Sequence, residues 1–273
     1  MSTTTINQET RMNDQVAALA ERLDDAQISR TETTSIEADR ERWPDFDVAL
    51  AYRVQNEVIA RREARGEKVV GVKLGFTSKA KMAQMGVSDV IVGRLTDAMA
   101  IDDGGVADLG RFIHPKVEPE VAYRIARDVD LDDPDVDMRD HVDAVAAAVE
   151  VIDSRYLDFV FTYADVVADN TSASGFAVGE WIPLREAADC AVTMTVGDHV
   201  VSGSTAAILD DPANALTALL DMCRRHRIPL RAGHIVLAGA ATAATELTAT
   251  SVTCLVDGIG SVGFTAQVSE VTA

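Results

Sequence analysis

The sequence predicts an α+β protein in which an N-terminal helical part, residues 1–66, precedes a β-rich body, residues 67–273. Two observations predict this division. Before Gly66 the apolar residues recur at helical spacing, and after it short runs of β-prone residues are separated by glycine and proline. With 273 residues, 47% of them hydrophobic, the chain is long enough to bury a sizeable core.

The N-terminal part contains two predicted helices. Residues 13–23, with the pattern VAALAERL, form the first, and residues 46–65 form a longer amphipathic helix that ends at Gly66. The polar segment TETTSIEADRERWP between them is a connector, and residues 1–10 are expected to form a loose tail.

The body is predicted to begin with strands in KVVGVKLG, DVIVGRL and KVEPEVAYRI. The acidic segment 128–140 indicates a solvated loop, followed by a short helix over residues 139–148 that leads into the strand AVEVI. A hairpin is expected around Gly197-Asp198, and a helix over 212–227 with proline in its first turn. HIVLAGA, SVTCLVDG and SVGFTAQV are the closing strands.

The charge of the chain excludes two classes of partner. Lys and Arg number 25 against 44 Asp and Glu, a net charge of −19, which repels nucleic acid and anionic lipid.

No apolar run has the roughly 18 residues of a membrane span, and the polar N-terminal sequence lacks a secretory pattern. The three cysteines have no metal-ligand spacing. We therefore expect a cytoplasmic protein.

Three glutamates are the first candidates for chemistry. Glu118 and Glu120 stand two apart in a predicted strand, so both carboxylates point to one face. Alone, such a pair is also typical of a strand surface that faces water. Glu150, however, lies among apolar neighbours in AVAAAVEVI, where an ionised carboxylate must be paired, protonated or bound to metal. Three carboxylates without convergent His or Cys favour Mg²⁺ or Mn²⁺ over zinc.

Two other features remain open to two interpretations. Lys73, between apolar residues and glycines in VVGVKLGF, either alternates outward to solvent or acts as a cation or acid–base group beside the metal. The segment DNTSASG, residues 169–175, is either a turn or a group of hydroxyls and amides that orient a carboxylate.

These pieces together resemble the hydratase/decarboxylase branch of the fumarylacetoacetate hydrolase superfamily. The strings that carry the resemblance are GVKLGFTSKAKMAQMGV (71–87), HPKVEPEVA (114–122), VEVIDSRY (149–156), VADNTSASG (167–175) and DGIGSVGF (257–264). Their order and combination are more specific than any single motif, and they run through most of the chain.

The resemblance implies a body built on the superfamily's mixed β-roll, of the fumarylacetoacetate hydrolase C-terminal type, that carries out metal-dependent catalysis. It also implies a divalent metal, Mg²⁺ or Mn²⁺, and places the family's ligands on Glu118, Glu120 and Glu150. These are the carboxylates that the residue patterns had already indicated.

The resemblance further implies roles for five residues. The family's active-site lysine corresponds to Lys73, and an acidic residue near the site corresponds to Asp97 in GRLTDAM. Substrate contacts are implied for Ser172 or Ser174 in the small-residue loop, and for Arg155 in VEVIDSRY.

The implied activity is decarboxylation of 2-oxo-3-hexenedioate to 2-hydroxypenta-2,4-dienoate and CO₂. The alternative is hydration of 2-hydroxypenta-2,4-dienoate to 4-hydroxy-2-oxopentanoate. The resemblance also implies a homo-oligomer, with the sibling enzyme as a possible partner. Two departures from the family, Asp210-Asp211 before Pro212 and the string AGAATAATE (238–246), concern segments expected near the substrate mouth.

Overall fold

The structure, a computed structural model, describes residues 3–79, 82–83, 86 and 89–269. Its helices are α1 (Thr3–Ser29), α2 (Val48–Ala64), α3 (Tyr163–Ala168) and α4 (Pro212–His226). The first two are the predicted N-terminal helices, but α1 is longer than predicted. Because α1 begins at Thr3, the expectation of a loose tail over residues 1–10 is wrong for the part that is described.

Fourteen strands are present in the described residues, in two sheets. They are β1 (Val69–Gly75), β2 (Ile91–Thr96), β3 (Ala100–Ile101), β4 (Val106–Asp108), β5 (Lys116–Ile125), β6 (Val142–Ile152), β7 (Ala173–Val178), β8 (Ile182–Pro183), β9 (Ala191–Val196), β10 (His199–Ser204), β11 (Ile235–Ala240), β12 (Thr245–Glu246), β13 (Ser251–Val256) and β14 (Gly260–Gln267). The larger sheet has the order β2-β1-β11-β5-β6-β7-β3, with β12 paired to β5 and β8 to β6. The smaller sheet has the order β10-β9-β13-β14-β4.

Both sheets are mixed, and the larger one curls into a half-barrel. Most neighbouring strands are antiparallel, whereas β1 pairs with β11, β3 with β7 and β14 with β4 in parallel. Two long N-terminal helices, together with mixed sheets in the body, confirm the predicted α+β class.

The central pair of the larger sheet, β5 and β6, determines where the glutamates lie. In the antiparallel register Glu118 is directly opposite Glu150, and Glu120 is opposite Ala148. Directly opposite residues project from the same face of a sheet, and so do residues two apart on one strand. The three carboxylates therefore project from one face.

The predicted helix over residues 139–148 is wrong. A short turn of 3₁₀ helix at Met138–His141 leads directly into β6, which begins at Val142. The alanines of this segment favour a helix intrinsically, but β6 lies between β5 and β7 and is almost entirely buried. Hydrogen bonding and packing on both edges of β6 thus outweigh the helix propensity of the alanines, which is worth about a fraction of a kcal/mol per residue.

The other elements of the body agree with the sequence. β9 and β10 form the hairpin, with Gly197 at a φ of +58° in the turn. The helix α4 begins at Pro212, and the Asp211 carboxylate caps it by accepting a hydrogen bond from the Ala213 amide at 2.8 Å. One of the two acidic residues that depart from the family pattern therefore has a structural role as a helix cap.

The N-terminal helices are fixed to the body through the helix α2. Its buried side chain Gln55 donates hydrogen bonds to the carbonyl of Val92 in β2, at 3.0 Å, and to the carbonyl of Val167 in α3, at 2.8 Å. One hydrophobic cluster continues from α1 and α2 into both sheets. None of the helices in the described part of the chain combines the length and apolar composition that a bilayer crossing requires.

A buried carboxylate, Asp165, joins the connector after α1 to the start of α3. It accepts hydrogen bonds from the Ser35 hydroxyl (2.6 Å), the Ile36 amide (2.8 Å), and the amide and hydroxyl of Thr162 (both 2.8 Å). Removing the carboxylate would leave the buried Ile36 amide and three half-buried donors without this acceptor, which costs up to about 1–3 kcal/mol for each group.

We expect Asp165→Ala to lower the free energy of unfolding by about 3–5 kcal/mol, because several of these donors lose their partner together. Denaturant titration followed by circular dichroism measures the change. The exposed Asp25→Ala in α1 is the matched control and should change the free energy by less than about 0.5 kcal/mol. Equal effects of the two substitutions would contradict this role of Asp165.

Candidate active site

Glu118, Glu120 and Glu150 come together as the fold predicts. Each offers a carboxylate oxygen, and these oxygens all lie within 4.8 Å of one another. Glu120 and Glu150 are 1% and 0% exposed, so neither faces water as a surface strand pair would. In the described part of the chain, this is the one group of acidic, His or Cys side chains with the spacing of a metal site.

The hydrogen bonding of these carboxylates is incomplete. Glu120 Oε2 accepts a hydrogen bond from the Gly239 amide at 2.8 Å, but Glu120 Oε1 and Glu150 Oε1 are buried and accept none from the described residues. Buried carboxylate oxygens without partners are costly, and a hard cation satisfies them. The donor set, three carboxylates in one face, fits a divalent oxygen-preferring ion.

Lys73 lies beside the carboxylates and is 3% exposed, which excludes the solvent-facing alternative. Its Nζ is 3.0 Å from Glu150 Oε2 and donates a hydrogen bond to the Thr171 carbonyl at 3.1 Å. In the sheet β11 lies between β1 and β5, so Lys73 on β1 is two strands away from Glu118 and Glu120 on β5.

The charges of the cluster shift one another's pKa values. Burial, and then the neighbouring Glu150, raise the pKa of Glu120 well above its ordinary value, although Lys73 acts in the opposite direction. Burial also raises the pKa of Glu150, against the effect of Lys73. Burial lowers the pKa of Lys73, but the three surrounding carboxylates raise it above its ordinary value. Burial therefore outweighs the effect of Lys73 on the pKa values of both Glu120 and Glu150.

The loop that carries Thr171 packs very closely on β1 and β2. Its residues Asn170, Thr171 and Ser172 have φ values of +47°, +57° and +57°, in the left-handed region that non-glycine residues rarely adopt. A Cβ atom at Gly93 would lie 2.5 Å from the Asn170 carbonyl oxygen, and one at Gly75 would lie 2.8 Å from Thr171 Cγ2. Glycine at these two positions is what allows the loop to reach the lysine.

Arg155 and Ser174 lie behind the same loop, and neither lines the cavity over the three carboxylates. The guanidinium of Arg155 is buried, pairs with the Asp169 carboxylate and donates to the Ser174 hydroxyl at 2.9 Å. Burial raises the pKa of Asp169 to about 6, although Arg155 acts in the opposite direction. Their position suits residues that fix the loop rather than residues that contact a substrate.

A cavity of about 610 Å³ opens over the cluster. Lys73, Glu118 and Ser172 are among its lining residues, and the Ser172 hydroxyl is buried without a hydrogen-bond partner in the described residues. Its apolar wall includes Phe76, Ile91, Ile152, Phe159, Phe161 and Val166. The segment 240–244 also lines it, whereas Asp210 and Asp211 do not.

The structure does not bring Asp97 to this site. Asp97 follows β2 directly, is exposed, and accepts a hydrogen bond from the Lys68 amide at 2.9 Å. Gly93 is opposite Lys73, and Asp97 follows Gly93 by four residues. The rise of a strand therefore places Asp97 roughly 13 Å from Gly93 along the strand direction. Nothing in its position supports a catalytic role.

The sequence patterns missed two features of the cavity. The aromatic wall is formed by Phe159 and Phe161, which follow the VEVIDSRY string, and by Phe76 after β1. Lys116 lines the cavity as well, and its spacing of two residues from Glu118 was the available signal that it shares the carboxylates' face.

Known proteins similar to this chain were found by sequence and by structure, although no model of a known protein family matches. A 4-oxalocrotonate decarboxylase of Pseudomonas sp. is 42% identical over 252 residues, which cover 91% of this chain and 97% of that protein. A 2-keto-4-pentenoate hydratase of Paraburkholderia phymatum is 36% identical over 258 residues, covering 92% and 97%.

The structure is similar to that of 4-oxalocrotonate decarboxylase from Pseudomonas putida G7 complexed with magnesium and adipate. The TM-score is 0.86 at 35% identity, and the alignment covers 93% of this chain and 98% of that one. Two solved structures at 12–14% identity, a putative fumarylacetoacetate hydrolase family protein from Yersinia pestis and a fumarylpyruvate hydrolase from Pseudomonas aeruginosa, have TM-scores of 0.53 and 0.54 and show the likeness of fold alone. The chain therefore belongs to the enzyme family of the 4-oxalocrotonate decarboxylases and 2-keto-4-pentenoate hydratases.

Proposed function

We propose that the protein is a divalent-metal-dependent lyase that decarboxylates 2-oxo-3-hexenedioate to 2-hydroxypenta-2,4-dienoate and CO₂, a step of catechol meta-cleavage. The observation that carries the proposal is the cluster of three carboxylates beside a buried lysine, next to a largely apolar cavity that Lys73 and Glu118 both line. The 42% identity to a 4-oxalocrotonate decarboxylase supports the choice of reaction.

Glu118, Glu120 and Glu150 are the proposed ligands of the ion, which we take to be Mg²⁺ or Mn²⁺. The buried carboxylate oxygens that lack hydrogen bonds support this assignment, because all-oxygen donor sets prefer hard cations. When bound, such an ion supplies a Lewis acid for the carboxylate and oxo oxygens of a 2-oxo acid.

The side chains of the cavity would bind and orient the substrate. Lys73 holds a proton at Nζ and places a positive charge beside the site, and the Ser172 hydroxyl offers a donor that no described residue uses. The apolar wall keeps water away from the reacting carbons, and in such a site fixed charges act more strongly than in water.

The bond between C5 and C6 of 2-oxo-3-hexenedioate breaks, C6 leaves as CO₂, and its electron pair moves through the C3–C4 double bond. The 2-oxo oxygen thereby becomes an enolate oxygen, next to which the Lys73 ammonium stabilises the new negative charge. The enolate oxygen then takes up a proton, for which Lys73 Nζ is the proposed source.

The hydratase reaction is the second candidate, because a 2-keto-4-pentenoate hydratase is 36% identical over 92% of this chain. The decarboxylase releases 2-hydroxypenta-2,4-dienoate and the hydratase consumes it, so both bind a carboxylate next to a 2-oxo or 2-hydroxy oxygen and one metal site could serve either. They differ in the far end of the substrate, which carries a second carboxylate only in the decarboxylase reaction.

Product analysis distinguishes the two candidates. With Mg²⁺ present, we expect CO₂ and 2-hydroxypenta-2,4-dienoate from 2-oxo-3-hexenedioate, and no water addition to freshly made 2-hydroxypenta-2,4-dienoate. Formation of 4-hydroxy-2-oxopentanoate from the latter, with 2-oxo-3-hexenedioate untouched, would show that the protein is the hydratase.

We also propose, from family membership, that the chain forms a homo-oligomer, has the sibling enzyme as a partner, and acts in the cytoplasm, with residues 67–273 as its catalytic domain. The three cysteines are unpaired in the structure, which suits a reducing compartment.

The metal assignment is tested by Glu120→Gln. We expect the variant to lose calorimetric binding of Mn²⁺ and to lose turnover, because one ionised ligand is removed. The metal-free variant should be at least as thermally stable as the metal-free parent, because the pKa of Glu120 is raised and a neutral side chain relieves the repulsion from Glu150. The exposed Glu180→Gln is the control, and undiminished Mn²⁺ binding by Glu120→Gln would contradict the assignment.

The role of the lysine is tested by Lys73→Met. We expect kcat to fall by about 10²–10³, the usual loss when one donor to a developing oxyanion is removed. Metal affinity should be retained or should rise, since the substitution removes a positive charge beside the ion. Steady-state kinetics and Mn²⁺ titration measure the two effects, and an unchanged kcat would exclude the proposed role.

A further inference from the structure

Lys116 occupies a defined position relative to the carboxylate cluster. It begins β5, two residues before Glu118 and four before Glu120, so the three side chains project from the same face of the strand. Its partner on the neighbouring strand β6 is Ile152, which also lines the cavity. The rise of a strand places Lys116 about 7 Å from Glu118 along the sheet.

The ammonium group of Lys116 has no anionic partner in the described residues. Its Nζ lies 4.1 Å from the centre of the Phe159 ring, and its side chain forms no ion pair or hydrogen bond with any described group. Glu246, opposite it on β12, is exposed and does not pair with it. Of the five lysines in the chain, Lys116 and Lys73 are the two found among the described cavity-lining residues.

The ring beneath Lys116 is held firmly. Asp158 and Phe159 have φ values of +55° and +57°, two successive non-glycine residues in the left-handed region. The ring also contacts His114, at 4.5 Å between ring centres. His114 is itself fixed, because Nδ1 lies 2.7 Å from Glu32 Oε1 and Nε2 lies 2.7 Å from the Ser154 carbonyl oxygen.

Lys116 is the one cation besides Lys73 among the described residues that line the cavity. Three carboxylates, Lys73 and a divalent ion sum to zero formal charge, and a 2-oxo acid with one carboxylate then brings a single negative charge. A dicarboxylate brings two, and the second would lie in an apolar cavity where an unpaired charge is expensive. An extended six-carbon chain spans roughly 6 Å between its terminal carbons, comparable with the spacing of Lys116 and Glu118.

We infer that Lys116 is the specificity-determining residue that binds the distal carboxylate of a dicarboxylic 2-oxo acid. The inference rests on the proposed 2-oxo acid site and deepens it, since the five-carbon hydratase substrate has no charge at that end. Lys116 acts on binding and not on bond breaking. As CO₂ forms the distal carboxylate loses its charge, so the ion pair is stronger with the substrate than with the transition state.

The test uses two unreactive ligands that differ only at the distal end. They are 2-oxoadipate, with a terminal carboxylate, and 2-oxohexanoate, with a methyl group there. In calorimetric titrations of the Mg²⁺-loaded protein, we expect 2-oxoadipate to bind at least tenfold more tightly than 2-oxohexanoate. In Lys116→Met the two affinities should become equal through loss of 2-oxoadipate affinity alone, and Lys116→Arg should keep the preference.

The exposed Lys68→Met is the control and should behave as the parent protein. If Lys116→Met retains its affinity for 2-oxohexanoate, the variant is folded and has bound Mg²⁺. A preference for 2-oxoadipate that survives in Lys116→Met, or one that is absent from the parent protein, would overturn the inference.

Kinetics separate this inference from the proposed reaction. In Lys116→Met we expect the KM for 2-oxo-3-hexenedioate to rise about tenfold while kcat is unchanged or higher, whereas damage to the site would lower kcat. If the parent protein binds 2-oxoadipate selectively through Lys116 but does not release CO₂ from 2-oxo-3-hexenedioate, the proposed reaction fails and the inference stands.

Discussion

Glu120 and Glu150 are buried in the larger sheet, where each ionised carboxylate raises the free energy of the folded protein unless a cation compensates it. Lys73 supplies one positive charge at 3.0 Å from Glu150. Burial is the main cause of the raised pKa values of both glutamates, and the neighbouring Glu150 raises the pKa of Glu120 further. We propose that a divalent ion compensates this cost, so that the electrostatic penalty in the metal-free protein becomes affinity for the ion.

The fold produces this cluster through strand register and one tightly packed loop. A shift of a single residue between β5 and β6 would turn Glu150 to the opposite face, away from Glu118 and Glu120. The loop after α3 supplies the carbonyl that receives the Lys73 hydrogen bond, and it reaches the lysine because Gly93 has no side chain. The buried Arg155–Asp169 pair fixes that loop from behind, so these two residues contribute without contact to the cavity.

Local patterns predicted the parts of this arrangement that depend on nearby residues. The hairpin at Gly197, the helix at Pro212 and the shared face of Glu118 and Glu120 follow from turn chemistry and from alternation along a strand. The alanine-rich segment before Glu150 was misassigned as a helix because its environment is set by β5 and β7, which are distant in sequence. The contact of Lys116 with Phe159 likewise depends on tertiary packing. Asp97, for which the resemblance implies a role in the site, follows β2 and is not among the described residues that line the cavity.

The central claim is that the three glutamates hold the metal ion on which activity depends. Crystals grown with Mn²⁺ and measured at a wavelength where manganese scatters anomalously test it most directly. We expect one strong anomalous peak bounded by the carboxylates of Glu118, Glu120 and Glu150, and no such peak in crystals of Glu120→Gln. A peak bound elsewhere in a fully active protein, with these carboxylates metal-free, would contradict the account.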